Sequence, residues 1–207
     1  MKRVVLSTAY LPPIAYFQAI GDYSFILFEK EEFYQKQSYR NRTYILSASG
    51  IQILTIPVLQ NHTKTCIKDI KIDYKIPWQR THLRSIQSAY NNSPFFLYYQ
   101  DYFIPFYEKK EVFLFDFNHK LIDVICKLLS WNPHFDFTTT YNDTYSGDTD
   151  LRKIIHPKNE LPSPSFIKPY TQVFSSKFGF TVSLSIIDLL FNEGPLATSF
   201  LHPDREN

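Results

Sequence analysis

His82 lies in "WQRTHLRSIQSAY" (78–90), four residues from both Trp78 and Ile86, with Tyr90 completing the row. On an α-helix that interval stacks the four side chains along one stripe. Histidine is the common acid or base near neutral pH, which makes His82 the candidate catalytic residue. Facing a cleft, it could take a proton from an amine or hydroxyl; inside a packed core it needs only a hydrogen-bond partner. No nearby serine or cysteine forms a nucleophile motif. The histidines at 62, 119, 134, 156 and 202 stand apart, so no metal site is expected.

Two other stretches carry groups able to bind a substrate. In "QKQSYRNR" (35–42), Arg40, Asn41 and Arg42 run into a strand, where alternation sends Asn41 one way and its neighbours the other. A guanidinium fork suits a carboxylate or phosphate, and an asparagine amide both donates and accepts. The same run also reads as a charged edge strand that discourages aggregation. In "AYLPPIAYF" (9–17), Tyr10 sits where a strand gives way to a helix across a proline-stiffened turn. Such turns are where α/β folds bind ligands. No glycine fingerprint accompanies it, so neither a dinucleotide loop nor a P-loop is present. Asp188 in "SIIDLLFN" (185–192) is a carboxylate in an otherwise apolar helix: buried it requires a partner, exposed it is an ordinary polar-face residue.

These residues need elements to hold them. "RVVLSTA" (3–9) reads as a buried strand, "IAYFQAI" (14–20) as a short helix closed by Gly21, and "YSFILFE" (23–29) as a second strand, which together outline a βαβ unit. "RTYILSASGIQILTIPV" (42–58) reads as a hairpin, and "DIKIDY" (69–74), by its alternation, as a further strand. Helical spacing runs over 78–91, 94–107 and 115–131. The stretches 137–150 and 157–169 read as loops, and 183–194 as a late helix capped by Ser183 or Ser185 and ended by Gly194. The expected architecture is α/β: one compact domain over 1–207 with an N-terminal βαβ unit, a mixed sheet, and helices mainly in the second half.

Composition bounds the function. With 44% hydrophobic and 20% charged residues the 207-residue chain is expected to be globular, and its formal charge of +2 does not supply the basic face of a nucleic-acid binder. Aromatic residues reach 17%, enough to fill a core and still line a ligand cleft with tyrosine. The two cysteines, Cys66 and Cys126, form neither a disulfide framework nor a metal cluster, which points to a reducing compartment. The apolar run of "MKRVVLSTAY" is too short for a signal peptide, and no segment approaches a membrane span. A cytoplasmic location is the expectation.

Taken in order, Tyr10 and Pro12, "YF" at 16–17, "NR" at 41–42, "LTIPV" at 54–58, the Trp78–His82–Ile86–Tyr90 row, "SPFF" at 93–96, "YTQVF" at 170–174 and "LSIIDLLFN" at 184–192 resemble the WbqC-like family, bacterial proteins often encoded among surface-polysaccharide genes. The resemblance runs from about residue 4 to 194. It implies that Tyr10, Asn41, Arg42, Gln172 and Asp188 bind substrate in a shared cleft with His82. It also implies a transferase role, adding an acyl or aminoacyl group to a sugar or sugar nucleotide. No cofactor follows from it, and the sequence does not set the oligomeric state. The chain departs from the family at "LSTA" (6–9), where the family's strand ends in His-Gln-Pro-Asn, and at Pro13, where a tryptophan is usual. If that histidine is the family's acid or base, this chain lacks it. A non-catalytic role, binding a small ligand or a partner protein, therefore stands beside transfer.

Overall fold

Residues 3–59, 64–159 and 168–201 are described by the structure, a computed structural model. The β-branched run at the start forms β1 (Arg3–Ser7), the two prolines at 12 and 13 end it, and α1 (Ile14–Asp22) follows. β2 (Phe25–Glu29) returns parallel to β1, with Val5 opposite Leu27, so the βαβ reading holds. The prolines work as expected, withdrawing donors from the ladder and opening the helix at its first turn. α1 runs through Gly21, and Tyr23 caps it by donating its backbone N–H to Ile20.

β3 (Arg42–Ser47) and β4 (Gly50–Thr55) form the antiparallel hairpin, with Arg42 opposite Thr55. The hairpin is a sheet of its own, separate from the parallel one. "DIKIDY" is not a ladder strand: a 3₁₀ turn occupies Ile67–Asp69, and beyond it Lys71 and Ile72 make only single bridges, to Phe113 and Val58. Its alternation is real, since Ile70 and Ile72 are buried. It reflects an extended segment tacked onto the core, because the backbone of Ile70 accepts from Leu114 and that of Val112 from Ile72.

The helices α2 (Trp78–Tyr90), α3 (Phe96–Glu108) and α4 (Leu114–Leu128) stand where helical spacing placed them. Two strands fall inside the stretch 137–150 or at its edge, which sequence reads as loop. β5 (His134–Phe137) pairs with β2, and β6 (Thr149–Asp150) with β1, giving a parallel sheet in the order β5-β2-β1-β6. Elements of four and two residues are too short to show a period. They become strands because β1 and β2 offer them unpaired edges. The loop expected over 157–169 lies largely outside the described residues.

After α5 (Ser175–Phe178) comes α6 (Ile186–Glu193), which Ser185 caps by accepting from the Ile187 N–H, and α7 (Ala197–Leu201) closes the described chain. Gly194 ends α6 at φ +55°, and a Cβ there would lie 2.4 Å from the ring of Phe95. We expect Gly194→Ala to cost about 2–3 kcal/mol from strain and overpacking, read as a lowered midpoint in urea denaturation. An unchanged midpoint would mean that the Phe95 ring moves aside freely. Among the described residues, no helix is long and apolar enough to cross a membrane.

Candidate functional site

The stripe on α2 faces inward. Trp78, His82, Ile86 and Tyr90 are each at most 4% exposed. His82 Nδ1 lies 2.9 Å from the Tyr10 hydroxyl, which lies 2.9 Å from that of Tyr107. The rings of Tyr10 and Trp78 pack on His82, and Phe117 packs on both in turn. Burial pushes the His82 pKa from 6.5 down to about 4, and a hydrogen bond with the Thr55 backbone offsets only part of that. At neutral pH the ring is therefore uncharged. It works as a hydrogen-bonding strut tying α2 to the turn after β1 and to the end of β4.

Gln172 and Asp188 form a second polar cluster. Tyr170 donates to Asp188 Oδ2 at 2.6 Å and Gln172 Nε2 at 3.0 Å, while Gln172 also brackets the Thr181 backbone at 2.9 and 2.8 Å. The buried Tyr90 hydroxyl faces the same carboxylate without a well-aligned bond of its own. Burial raises the Asp188 pKa from 3.8 to about 6, against the bonds from Tyr170 and Gln172 and the nearby Tyr90 hydroxyl, which lower it. Tyr90 and His82 are eight residues apart on α2, two turns or about 12 Å along the axis. The hydrogen bonds of the Asp188 cluster and of the His82 cluster are thus made by different residues.

The third grouping sits at the carboxyl ends of the parallel strands, and most of its members carry no sequence signal. Ser7 ends β1, Glu29 ends β2 and Asp150 ends β6. Arg40 holds Glu32 by a bidentate pair and reaches Ser7 Oγ at 2.8 Å, and Ser7 in turn donates to Glu32. Arg152 bonds Glu29 at 3.0 Å and both oxygens of Asp150. Thr138 and Tyr145 complete the shell of Glu29, which is fully buried. Between them lies a small hollow, roughly the size of a water, lined by Ser7, Thr8, Arg40, Arg152, Leu151 and Ile155. A Glu directly after an apolar strand ("FILFE") is the one sequence signal that points to this place. Its partner Arg152 is 123 residues away.

Asn41 and Arg42 adjoin this network. Asn41 donates to the Ile56 carbonyl at 2.8 Å, but its Oδ1 has no partner, and neither has the buried Nε of Arg42. Thr8 Oγ1 and Asn118 Oδ1 are likewise buried without partners. All four belong to one locality: Asn118 donates to the Arg40 carbonyl, Ser7 next to Thr8 bonds the Arg40 guanidinium, and Asn41 and Arg42 follow in the chain. Buried polar atoms are normally satisfied, and the other described ones without a partner, Trp78 Nε1, the Tyr90 hydroxyl and His119 Nδ1, lie on α2 and α4. The backbone is strained beside the four. Leu11, one residue past Tyr10, holds φ at +39°, and its carbonyl is fixed by Thr43 Oγ1 at 2.7 Å and Ser185 Oγ at 2.9 Å. Strain held this firmly by neighbours clusters at functional sites. Among the described residues, no group of three or more His, Cys, Asp and Glu side chains is placed to hold a metal.

The family model described as WbqC-like protein family matches residues 8–160, a span that contains Tyr10, Asn41, Arg42 and His82 and ends before Gln172 and Asp188. The chain is 25% identical, over 236 aligned residues covering the whole of both chains, to the uncharacterized protein Rv1507c of Mycobacterium tuberculosis (strain ATCC 25618 / H37Rv). No solved structure matches.

Proposed function

The chain belongs to the WbqC-like protein family, and from that premise we propose that it is a cytoplasmic group transferase. It takes a small sugar-like or anionic substrate at the carboxyl ends of β1, β2 and β6 and places an acyl or aminoacyl group on it during surface-polysaccharide assembly. The observation that carries the reading is the gathering of unpartnered buried atoms from Thr8, Asn41, Arg42 and Asn118 around a single segment. That segment lies where parallel α/β sheets hold their ligands.

The roles follow from the groups. Arg42 makes no ion pair among the described residues, so its guanidinium is free to neutralise an anionic donor. Thr8 and Asn41 orient the acceptor. Arg40 and Arg152, spent on Glu32 and Glu29, hold the walls. His82 and Tyr10 act one layer further in, as the support that fixes the strained turn. Catalysis in this reading comes from holding two reactants in register.

A second reading, ligand binding without turnover, is favoured by one observation: positions 6–9 carry no histidine, and the buried His82 does not replace it. Incubation with sugar nucleotides and acyl or aminoacyl donors, followed by mass spectrometry, separates the two. Transfer predicts a product heavier than the acceptor by the acyl group less the one hydrogen it replaces, with that hydrogen leaving on the donor's released carrier. Arg42→Ala is then expected to raise the KM for the anionic donor about 10- to 100-fold, the worth of a charge-assisted hydrogen bond. Saturable binding with no product would replace transfer by the second reading, and no binding of any member would remove both.

A further inference from the structure

Within the reading just proposed, and resting on it, we infer that the group received by the strand-end hollow is an uncharged hydroxyl of the sugar, and that the hollow discriminates against carboxylates and phosphates. Three features point the same way.

Charge is the first. The charged residues that line the hollow are Arg40 and Arg152, and the carboxylates of Glu32, Glu29 and Asp150 stand behind them as their ion-pair partners. Both guanidiniums are already engaged, Arg40 bidentately by Glu32 and Arg152 by Glu29 and Asp150. An entering anion would meet no unpaired cation there and would have to pull apart a buried ion pair, whose surviving carboxylate would then be left uncompensated.

The second feature is size. The hollow has room for roughly one water, which admits a hydroxyl or a hydroxymethyl and is too small for the tetrahedral oxygens of a phosphate. The third is the free group on its wall. Thr8 is 1% exposed and its Oγ1 has no partner, while the neighbouring Ser7 hydroxyl already donates its proton to Glu32 and accepts from Arg40. A threonine hydroxyl both donates and accepts, which complements another hydroxyl. Apolar Leu151 and Ile155 complete the lining and offer a charge no further hydrogen bonds.

The test is titration of methyl glycosides of gluco, galacto and manno configuration, each beside its uronate and its 6-phosphate, followed by ligand-observed NMR. Wild type, Thr8→Val and Thr8→Ser are compared, with melting temperature as the folding check. Valine keeps the shape of threonine and removes the hydroxyl; serine keeps the hydroxyl. At least one neutral glycoside is expected to bind about tenfold more weakly to Thr8→Val and normally to Thr8→Ser, while its uronate and phosphate show no binding that responds to Thr8. A uronate or phosphate that binds more tightly than its neutral parent and responds to Thr8→Val would overturn the inference yet leave the hollow as the substrate site. If no compound in either series responds to Thr8, both the inference and the reading of the hollow as the substrate site fall.

Discussion

Arg152→Ala is expected to destabilise the protein by about 3–5 kcal/mol, the range for breaking a buried ion pair by removing one partner. The guanidinium is 3% exposed and its partner Glu29 is fully buried. Removing it leaves the Glu29 carboxyl without its cation in a closed site, with only the Glu31 N–H and the Thr138 and Tyr145 hydroxyls to bond it. It also removes the Tyr145 ring's stacking partner, 4.7 Å away. The cost thus comes mainly from the orphaned carboxylate, and a second change distinguishes that from lost packing. Adding Glu29→Gln to Arg152→Ala removes the orphaned charge and should recover at least half of the loss in urea denaturation. A single variant within about 1 kcal/mol of wild type would show that water reaches Glu29 when the arginine is gone, and the closed site would have to be abandoned.

The second large effect is a pair of opposite pH dependences. His82 has its pKa lowered from 6.5 to about 4, so between these values the unfolded chain holds the proton that the folded chain refuses. Its contribution is fully present above pH 6.5 and is lost as pH falls through about 4. Asp188 has its pKa raised from 3.8 to about 6, so in this case it is the folded chain that holds the extra proton. Its penalty is absent below pH 3.8 and complete above about 6. At ~1.4 kcal/mol for each tenfold change in proton affinity, each amounts to something on the order of 3 kcal/mol. Between pH 4 and 6 the two slopes oppose and largely offset one another in the wild type.

Substitution should separate them. Relative to wild type, Asp188→Asn is expected to gain stability as pH rises from 4 to 6, because it never acquires the buried charge. His82→Gln should gain, again relative to wild type, as pH falls from 6.5 to 4, because it has no ring to protonate. Denaturation midpoints at half-unit pH steps give both difference curves, in which all other titrating groups cancel. A flat curve for His82→Gln would mean that the imidazole is hydrated in the folded protein, which would return it to consideration as a residue reaching the substrate. A flat curve for Asp188→Asn would remove the closed Tyr170–Gln172–Asp188 cluster.

Much of the framework is legible along the chain because it is local. Two prolines after a β-branched run, "SASG" between two β-rich stretches, and apolar residues at intervals of three and four over 78–131 each act within a few residues of themselves. The hairpin and the three central helices stand close to where those signals put them. The two edge strands are illegible for the complementary reason. "HFDF" and "TD" have too few residues for periodicity, and only neighbouring strands give their backbone groups partners.

The site is legible only in part. The residue types at Tyr10, Asn41, Arg42, His82, Gln172 and Asp188 single out groups that end up buried or half-buried with polar work to do. Their grouping cannot be read, since helical spacing says that four side chains share a stripe but not whether the stripe faces a cleft or a core. For His82 the rings of Trp78 and Tyr10 pack on the imidazole and leave it buried.

By itself, then, the sequence determined the family, the βαβ start, the hairpin, the helices and the candidate polar residues, because each rests on near-neighbour preferences or on an ordered string of motifs. Only the tertiary structure decided that Glu29 meets Arg152 across 123 residues, and that Arg40 meets Ser7 through its guanidinium and Asn118 through its carbonyl. The physical reason is that an ion pair or a hollow depends on distance in space. No periodicity records which distant segments the closing of a hydrophobic core will press together.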